Sequence, residues 1–269
     1  MQLVVVTGAS SGIGRATAVR YAKAGWRVVA IARTGAALDE LVKDAGAHVV
    51  ARVVDAADGA AVVDVCARVV AEFGVPDVVV NSAGLGAWKY LEDTTPKELQ
   101  QMLGAPFLAA AHVTGAFLSG MIQRRSGRIL HVGSPASIQP WPGSTAYATS
   151  RWALRGLHEA LRMDLHGTGV STTHVLFGEV TSSYFDNNPG SHEHIPRVAR
   201  IIPVSTPEQC AETLFRLGSS SSAPPAQLFE PLMLRLLFWT RALFPGLFRA
   251  SVLSTGRKRP QQLPTKTPG

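Results

Sequence analysis

The stretch Val4–Gly14, VVVTGASSGIG, decides the fold. Its three valines form a short β-branched apolar run, the signature of a strand covered on both faces in a parallel sheet. Gly8, Gly12 and Gly14 follow, and a helical pattern runs from Ile13 to Ala24. A glycine turn between strand and helix sets the first-turn N–H groups and the positive end of the helix dipole against any anion at the turn. Gly8 allows the tight turn, Gly12 lets backbone approach a pyrophosphate, and Gly14 permits close helix packing. Ser10, Ser11 and Ile13 complete the loop. An ordinary glycine-rich turn is the plainer alternative. Its place at the head of an alternating chain favours the phosphate loop.

The alternation continues. Gly25 ends the helix, and RVVAIA, HVVARVV (48–54) and DVVV (77–80) are strands, with a helix over 59–73. Thr95-Pro96-Lys97-Glu98 and Thr206-Pro207-Glu208-Gln209 each open a helix with a capping residue, proline at the first helical position and an acid or amide to close the box. GRILHVG is a fifth strand, 147–166 a helix, VSTTHVLF a sixth strand and AQLFE a short seventh. Such alternation predicts a doubly wound, Rossmann-type parallel sheet of about seven strands over residues 1–230, an apolar helical appendage over 231–256 and a disordered basic tail over 257–269.

The spacing T-G-x-x-x-G-x-G resembles the short-chain dehydrogenase/reductase family, and the resemblance runs from about residue 2 to 217. VVNSAGLG is similar to the family's N-N-A-G segment, with Asn81, Ala83 and Gly84 matching and Ser82 replacing an asparagine. Ser134 in HVGSPAS matches the serine after the fifth strand. YATSR matches Y-x-x-S-K except at Arg151, and FGEVTS resembles P-G-x-V-x-T, with Gly178 and Val180 matching.

The resemblance implies a nicotinamide cofactor. An acid at the end of the second strand would bind a ribose 2′-hydroxyl and repel a 2′-phosphate. Here Ala32 takes that position and Arg33 follows, so NADP(H) is favoured over NAD(H). By resemblance Asp55 contacts adenine, and Asn81, Ala83 and Gly84 border the ribose side.

The resemblance also assigns Tyr147 as the acid–base and Ser134, thirteen residues earlier, as the group that holds the substrate oxygen. A free phenol titrates near ~10, so a cation beside it is needed to favour the phenolate. Positions 147 and 151 share a helix face. The family has lysine at the second; a guanidinium supplies charge and hydrogen bonds to ribose but does not readily give up a proton. The family's relay asparagine in the helix before strand five corresponds to Pro106, which has no N–H and would itself kink the helix. Positioned proton transfer is commonly worth about 10²–10⁴ in rate. The reading is therefore an NADP(H)-dependent oxidoreductase interconverting a carbonyl and a hydroxyl. The alternative is a catalytically impaired dinucleotide-binding sensor or scaffold.

Other features carry less. HEH (192–194) is a poor ligand set, and no metal is expected; a solvated loop is the reading. His112, His158, His166 and His174 fit surface or helix-end roles, while His131 lies in a strand. Tyr184, Phe185, Ile195 and Val198, in the family's lid region, can line an apolar pocket or merely pack the loop. Cys66 and Cys210, far apart, read as buried free thiols of a reducing compartment, and nothing N-terminal directs export, so a cytoplasmic protein is expected. The formal net charge of +7 is partly local: Arg235, Arg241, Arg249, Arg257, Lys258, Arg259 and Lys266 lie at the C-terminal end. PLMLRLLFWTRALFPGLF (231–248) is too interrupted to span a bilayer. It packs on its own domain or a second subunit, or it lies in a membrane interface with its arginines reaching the headgroups. The membrane reading is preferred and implies a lipophilic substrate. Nucleic acid is not an expected partner, since the charge sits in an apolar tail without a stacking platform. A homodimer or homotetramer is the family default.

Overall fold

In the computed structural model, residues 1–258 are described, apart from 183, 187 and 189. β1 (Leu3–Thr7) leads through the glycine loop to α1 (Gly12–Lys23), and β2 (Arg27–Ala32) leads to α2 (Gly35–Ala45). β3 (Val49–Val53), α3 (Gly59–Phe73) and β4 (Val78–Asn81) follow. α4 (Pro96–Leu103) and α5 (Ala109–Arg124) precede β5 (Gly127–Gly133), α6 (Thr145–Asp164) and β6 (Val170–Phe177). α7 (Pro207–Ser219), β7 (Gln227–Glu230), α8 (Leu232–Leu243) and α9 (Pro245–Thr255) complete the described chain.

All seven strands are parallel, in the order β3-β2-β1-β4-β5-β6-β7. The order reverses direction between β1 and β4, and a crevice opens there at the carboxyl ends of the strands. The period-2 alternation of the valine-rich strands feeds two cores. Val4, Val6, Val28 and Ala30 face α1, α2 and α7 through Tyr21, Leu38, Leu41 and Leu214. Leu3, Val5, Val29 and Ile31 face α3 and α5 through Val62, Val69, Val113 and Phe117. Thr7, the last residue of β1, stitches the switch point: its Oγ1 accepts from the backbone N–H of Ser82 and of Ala83, each at 3.1 Å.

Both predicted capping boxes form, Thr95 with Glu98 and Thr206 with Gln209. The bend anticipated at Pro106 is a π-helical turn, Gly104–Leu108, between α4 and α5. Proline removes one backbone donor, and a wide turn is one way for a helix to absorb that loss. Cys66 and Cys210 are buried free thiols, and burial pushes both up to about 12.

The apolar appendage folds back on the sheet. Leu234 and Phe238 of α8 are buried against Ile138, Leu176, Ile202 and Phe229. Arg241 donates to the carbonyl of Ile138 at 3.0 Å and to Gln139 Oε1 at 3.2 Å. The chain turns sharply, by 119°, between α8 and α9. The start of the expected disordered tail is also anchored: Arg257 pairs with Glu193 at 2.8 Å and donates to His194 Nε2 at 3.3 Å. The tail from Arg259 onward lies outside the described residues.

Candidate active site

The glycine loop has the backbone that its glycines predict. Gly8 and Gly12 hold φ at +67° and +51°, a region costly for any residue with a Cβ. A Cβ on Gly14 would sit 2.3 Å from the carbonyl oxygen of Gly8, so only glycine lets α1 approach the turn. Ser11, the residue before α1, makes no side-chain cap bond, which leaves first-turn N–H groups of α1 to an anion in the cleft.

A cleft of about 950 Å³ extends from this loop. Gly8, Ser10, Ser11, Gly12, Ile13, Gly14, Arg33 and Asp55 line one end. Ala83, Gly84, Ser134, Tyr147, Arg151, Gly178 and Val180 line the middle. Arg33 is solvent-exposed and only 4.0 Å from Asp55, a loose pair at the mouth. Asn81 stands apart from the other residues expected at the ribose. Strand alternation turns its buried side chain into the sheet–helix core, where Nδ2 donates to Thr114 Oγ1 at 2.9 Å, and Ser82, Ala83 and Gly84 take the cleft wall.

Ser134 directly follows β5, and its Oγ accepts from the Ala136 N–H at 3.3 Å. That bond leaves the hydroxyl proton free for a substrate oxygen. Tyr147 and Arg151, one turn apart on α6, are both buried. The guanidinium carbon lies 5.1 Å from the centroid of the Tyr147 ring, within cation–π range. Nη1 donates to the carbonyl of Val132 at 3.2 Å, and Nε has no partner among the described residues. A Cβ on Gly84 would lie 2.8 Å from Nη2, so the guanidinium crosses to the β4 side of the cleft only because residue 84 is glycine.

Aromatic rings enclose the phenol. Trp88 and Trp141 have centroids 5.2 and 6.3 Å from that of Tyr147. Trp88 Nε1 donates to the Tyr184 hydroxyl at 3.3 Å. Burial, and then the neighbouring Tyr147 phenol, raise the Tyr184 hydroxyl well above its ordinary range, against the lowering effect of Arg151. Tyr184 therefore stays protonated. Phe185, Ile195 and Val198 continue this wall, with Leu234, Phe238 and Val252 from α8 and α9 at its far side. Sequence reasoning missed Trp88 and Trp141. Their signal was position, since both lie in loops after the carboxyl ends of β4 and β5, where ligands of doubly wound sheets sit.

The fold is matched by known proteins. The description "short chain dehydrogenase" fits residues 2–191. The chain belongs to the short-chain dehydrogenase/reductase family. It is 35% identical over 215 residues to an uncharacterised short-chain type dehydrogenase/reductase of Sinorhizobium fredii, covering 74% of this chain and 84% of that one. It is 31% identical to the NADP-dependent 3-hydroxy acid dehydrogenase YdfG of Escherichia coli over 186 residues, 69% of this chain and 75% of the relative. Among solved structures, the closed form of serine dehydrogenase complexed with NADP+ superposes with a TM-score of 0.78 at 27% identity, covering 86% and 96% of the two chains. An alcohol dehydrogenase from the archaeon Thermococcus sibiricus, complexed with 5-hydroxy-NADP, gives 0.73 at 26%, covering 85% and 95%. The family is one of oxidoreductases, and these two structural relatives hold NADP or a derivative of it.

Three histidines lie in the interior behind Arg151. His131, His158 and His174 are wholly buried, which corrects the surface or helix-end roles expected of the last two. Their rings form a chain, with centroids 6.0 Å apart from His131 to His158 and 5.6 Å from His158 to His174. Asn81 Nδ2 lies 3.2 Å from His131 Nδ1, and His131 Nε2 has no partner among the described residues. Thr172 Oγ1 lies 3.1 Å from His158 Nδ1. The His174 ring presses on Gly133, where a Cβ would be 2.2 Å from its Nε2. Burial first lowers all three, His131 to about 3 and His158 to about 4; His174 is further depressed by its histidine and arginine neighbours, Arg151 among them. All three are neutral beside a permanent cation. Of the remaining histidines, His166 is exposed at the end of α6, as expected. His194 departs from the solvated-loop reading: it is buried, and Arg257 binds its Nε2.

Proposed function

We propose that this chain is an NADP(H)-dependent oxidoreductase that interconverts a carbonyl and a hydroxyl on a small, lipophilic substrate. The observation that carries the reading is the convergence of Ser134, Tyr147 and Arg151 in one cleft, with the glycine loop at one end and an aromatic and aliphatic wall at the other.

The residues present fit a dinucleotide. The uncapped start of α1 and the positive-φ glycines form a phosphate cradle. The exposed Arg33 guanidinium, with no acid before it on β2, suits a 2′-phosphate. The NADP named for relatives and structural neighbours supports the same preference. Arg151, with Nε unpaired, would meet the nicotinamide ribose, and Gly178 and Val180 would flank the ring. When bound, the cofactor supplies or accepts hydride.

The protein's own part is the proton and the geometry. In the reducing direction the Tyr147 hydroxyl gives its proton to the substrate oxygen while the Ser134 hydroxyl donates a hydrogen bond that fixes that oxygen. Arg151 stabilises the resulting phenolate by charge. It does not pass the proton onward, because guanidinium keeps its own. The protonated Tyr184 is a second donor near the phenol, and the tryptophans exclude water. The apolar far wall selects a lipophilic substrate. Pairing with a second copy would use the outer faces of α5 and α6, where Trp152 and Met163 are exposed.

The test is binding of NADPH and NADH, followed by a panel of apolar ketones, aldehydes and alcohols. Tighter NADPH binding with cofactor-dependent turnover supports the reading. Tight NADPH binding with no turnover across the panel would replace it with a dinucleotide sensor or scaffold.

A further inference from the structure

The C-terminal helix pair is apolar on both sides. Its inner side, through Leu234, Phe238, Phe248 and Val252, lines the cleft. Its outer side carries Leu236, Trp239, Leu243, Phe244 and Leu247, of which Leu243 and Leu247 are 68% and 72% exposed. A helix apolar all round belongs in an apolar environment on all sides, and here one side has none among the described residues. A contiguous run of large exposed apolar side chains marks an interaction surface.

Charge identifies the partner. No aspartate or glutamate occurs after Glu230, and residues 1–230 contain equal numbers of acidic and basic side chains. The formal +7 therefore resides wholly in the segment that begins with these helices. Arg235 and Arg249 are exposed beside the apolar face. Apolar side chains flanked by arginines, with a tryptophan among them, match an interface between headgroups and acyl chains carrying negative charge. A second copy of this chain would bring like charge against like charge at the same face.

We propose that the outer face of α8 and α9 docks on an anionic lipid bilayer, lying in its interface without crossing it, and that the cleft behind these helices is reached from the lipid side. Docking stands on the exposed face and the charge alone; only delivery of substrate through the cleft rests on the carbonyl reading above.

The test is co-sedimentation of the full chain with phosphatidylcholine vesicles, with and without about 30% phosphatidylglycerol. The expected result is binding to the anionic vesicles, at least about tenfold weaker to the neutral ones, and weaker again at high salt. The double variant W239E/L247E should lose the binding while its far-ultraviolet circular dichroism and NADPH affinity stay those of the parent. R249E, which leaves the apolar face intact, should weaken binding to anionic vesicles only. A chain that stays in the supernatant with anionic vesicles overturns the proposal. So does light scattering that shows a dimer abolished by W239E/L247E with no vesicle binding, since the face then belongs to a second copy. The readout does not involve turnover, so a protein that docks but reduces no ketone would reject the function while leaving the docking intact.

Discussion

Arg151 meets the Tyr147 ring at its face and reaches across to Gly84, a longer path than a lysine ammonium would need. The consequence is separable by mutation. Tyr147→Phe is expected to lower turnover by about 10²–10⁴ and to leave NADPH affinity nearly unchanged, because the phenol gives a proton and little cofactor binding. Arg151→Met should weaken NADPH binding and turnover together. Arg151→Lys should keep cofactor binding and raise turnover where proton release limits the rate, with the pH–rate profile moved; single-turnover NADPH oxidation across pH reads both. Arg33→Ala should shift the NADPH-to-NADH preference towards NADH by roughly tenfold to a hundredfold, the value of one or two charge-assisted hydrogen bonds at an exposed site. The Tyr147–Arg151 pair was legible in the sequence because one helical turn separates its members. The wall of Trp88 and Trp141 was not, because it is assembled from two loops whose meeting is a tertiary event. Asn81 misled for a different reason: the motif is recognisable, but strand alternation directs that side chain into the core.

Elements explain why the cleft keeps its shape. Gly14 packs α1 onto the turn with no room for a methyl group, so Gly14→Ala should cost about 1–3 kcal/mol by overpacking and weaken NADPH binding as the cradle opens; a denaturant melt and a cofactor titration measure the two. Thr206→Ala removes the side-chain half of a formed capping box on α7 and should cost about 1 kcal/mol with cofactor binding unchanged. Most elements could be read in advance because the valine runs and capping residues are local signals. The turn at Gly104–Leu108 was foreseen only as a bend, since proline announces a missing donor and not how the helix accommodates it. The fold of α8 back over the cleft, and the anchoring of Arg257 by Glu193 and His194, depend on long-range contacts that no local pattern carries.

At the scale of the whole molecule, the three buried histidines tie stability to pH. Their folded-state values lie below the ordinary value for histidine, so below about pH 6.5 the unfolded chain takes up protons that the folded chain refuses. Their contribution is complete above that pH and is lost as pH falls towards about 4 for His158 and about 3 for His131, at up to about 1.4 kcal/mol per pH unit for each histidine. Urea midpoints should therefore be flat from about pH 7 to 8 and fall below 6.5, and His158→Gln should flatten the fall. None of this was visible in the sequence, where the three histidines lie in separate segments. β5 and β6 bring His131 and His174 against His158 on the tyrosine helix α6 itself.

The central claim is that Tyr147, held by Arg151 in this cleft, is the proton donor of an NADPH-dependent carbonyl reduction. Its most direct test is NADPH consumption with apolar ketones by the parent and by Tyr147→Phe, both first shown to bind NADPH. The account predicts turnover by the parent and a loss of at least about a hundredfold in the variant. Equal rates from the two proteins, or no consumption by a parent that binds NADPH, would contradict it.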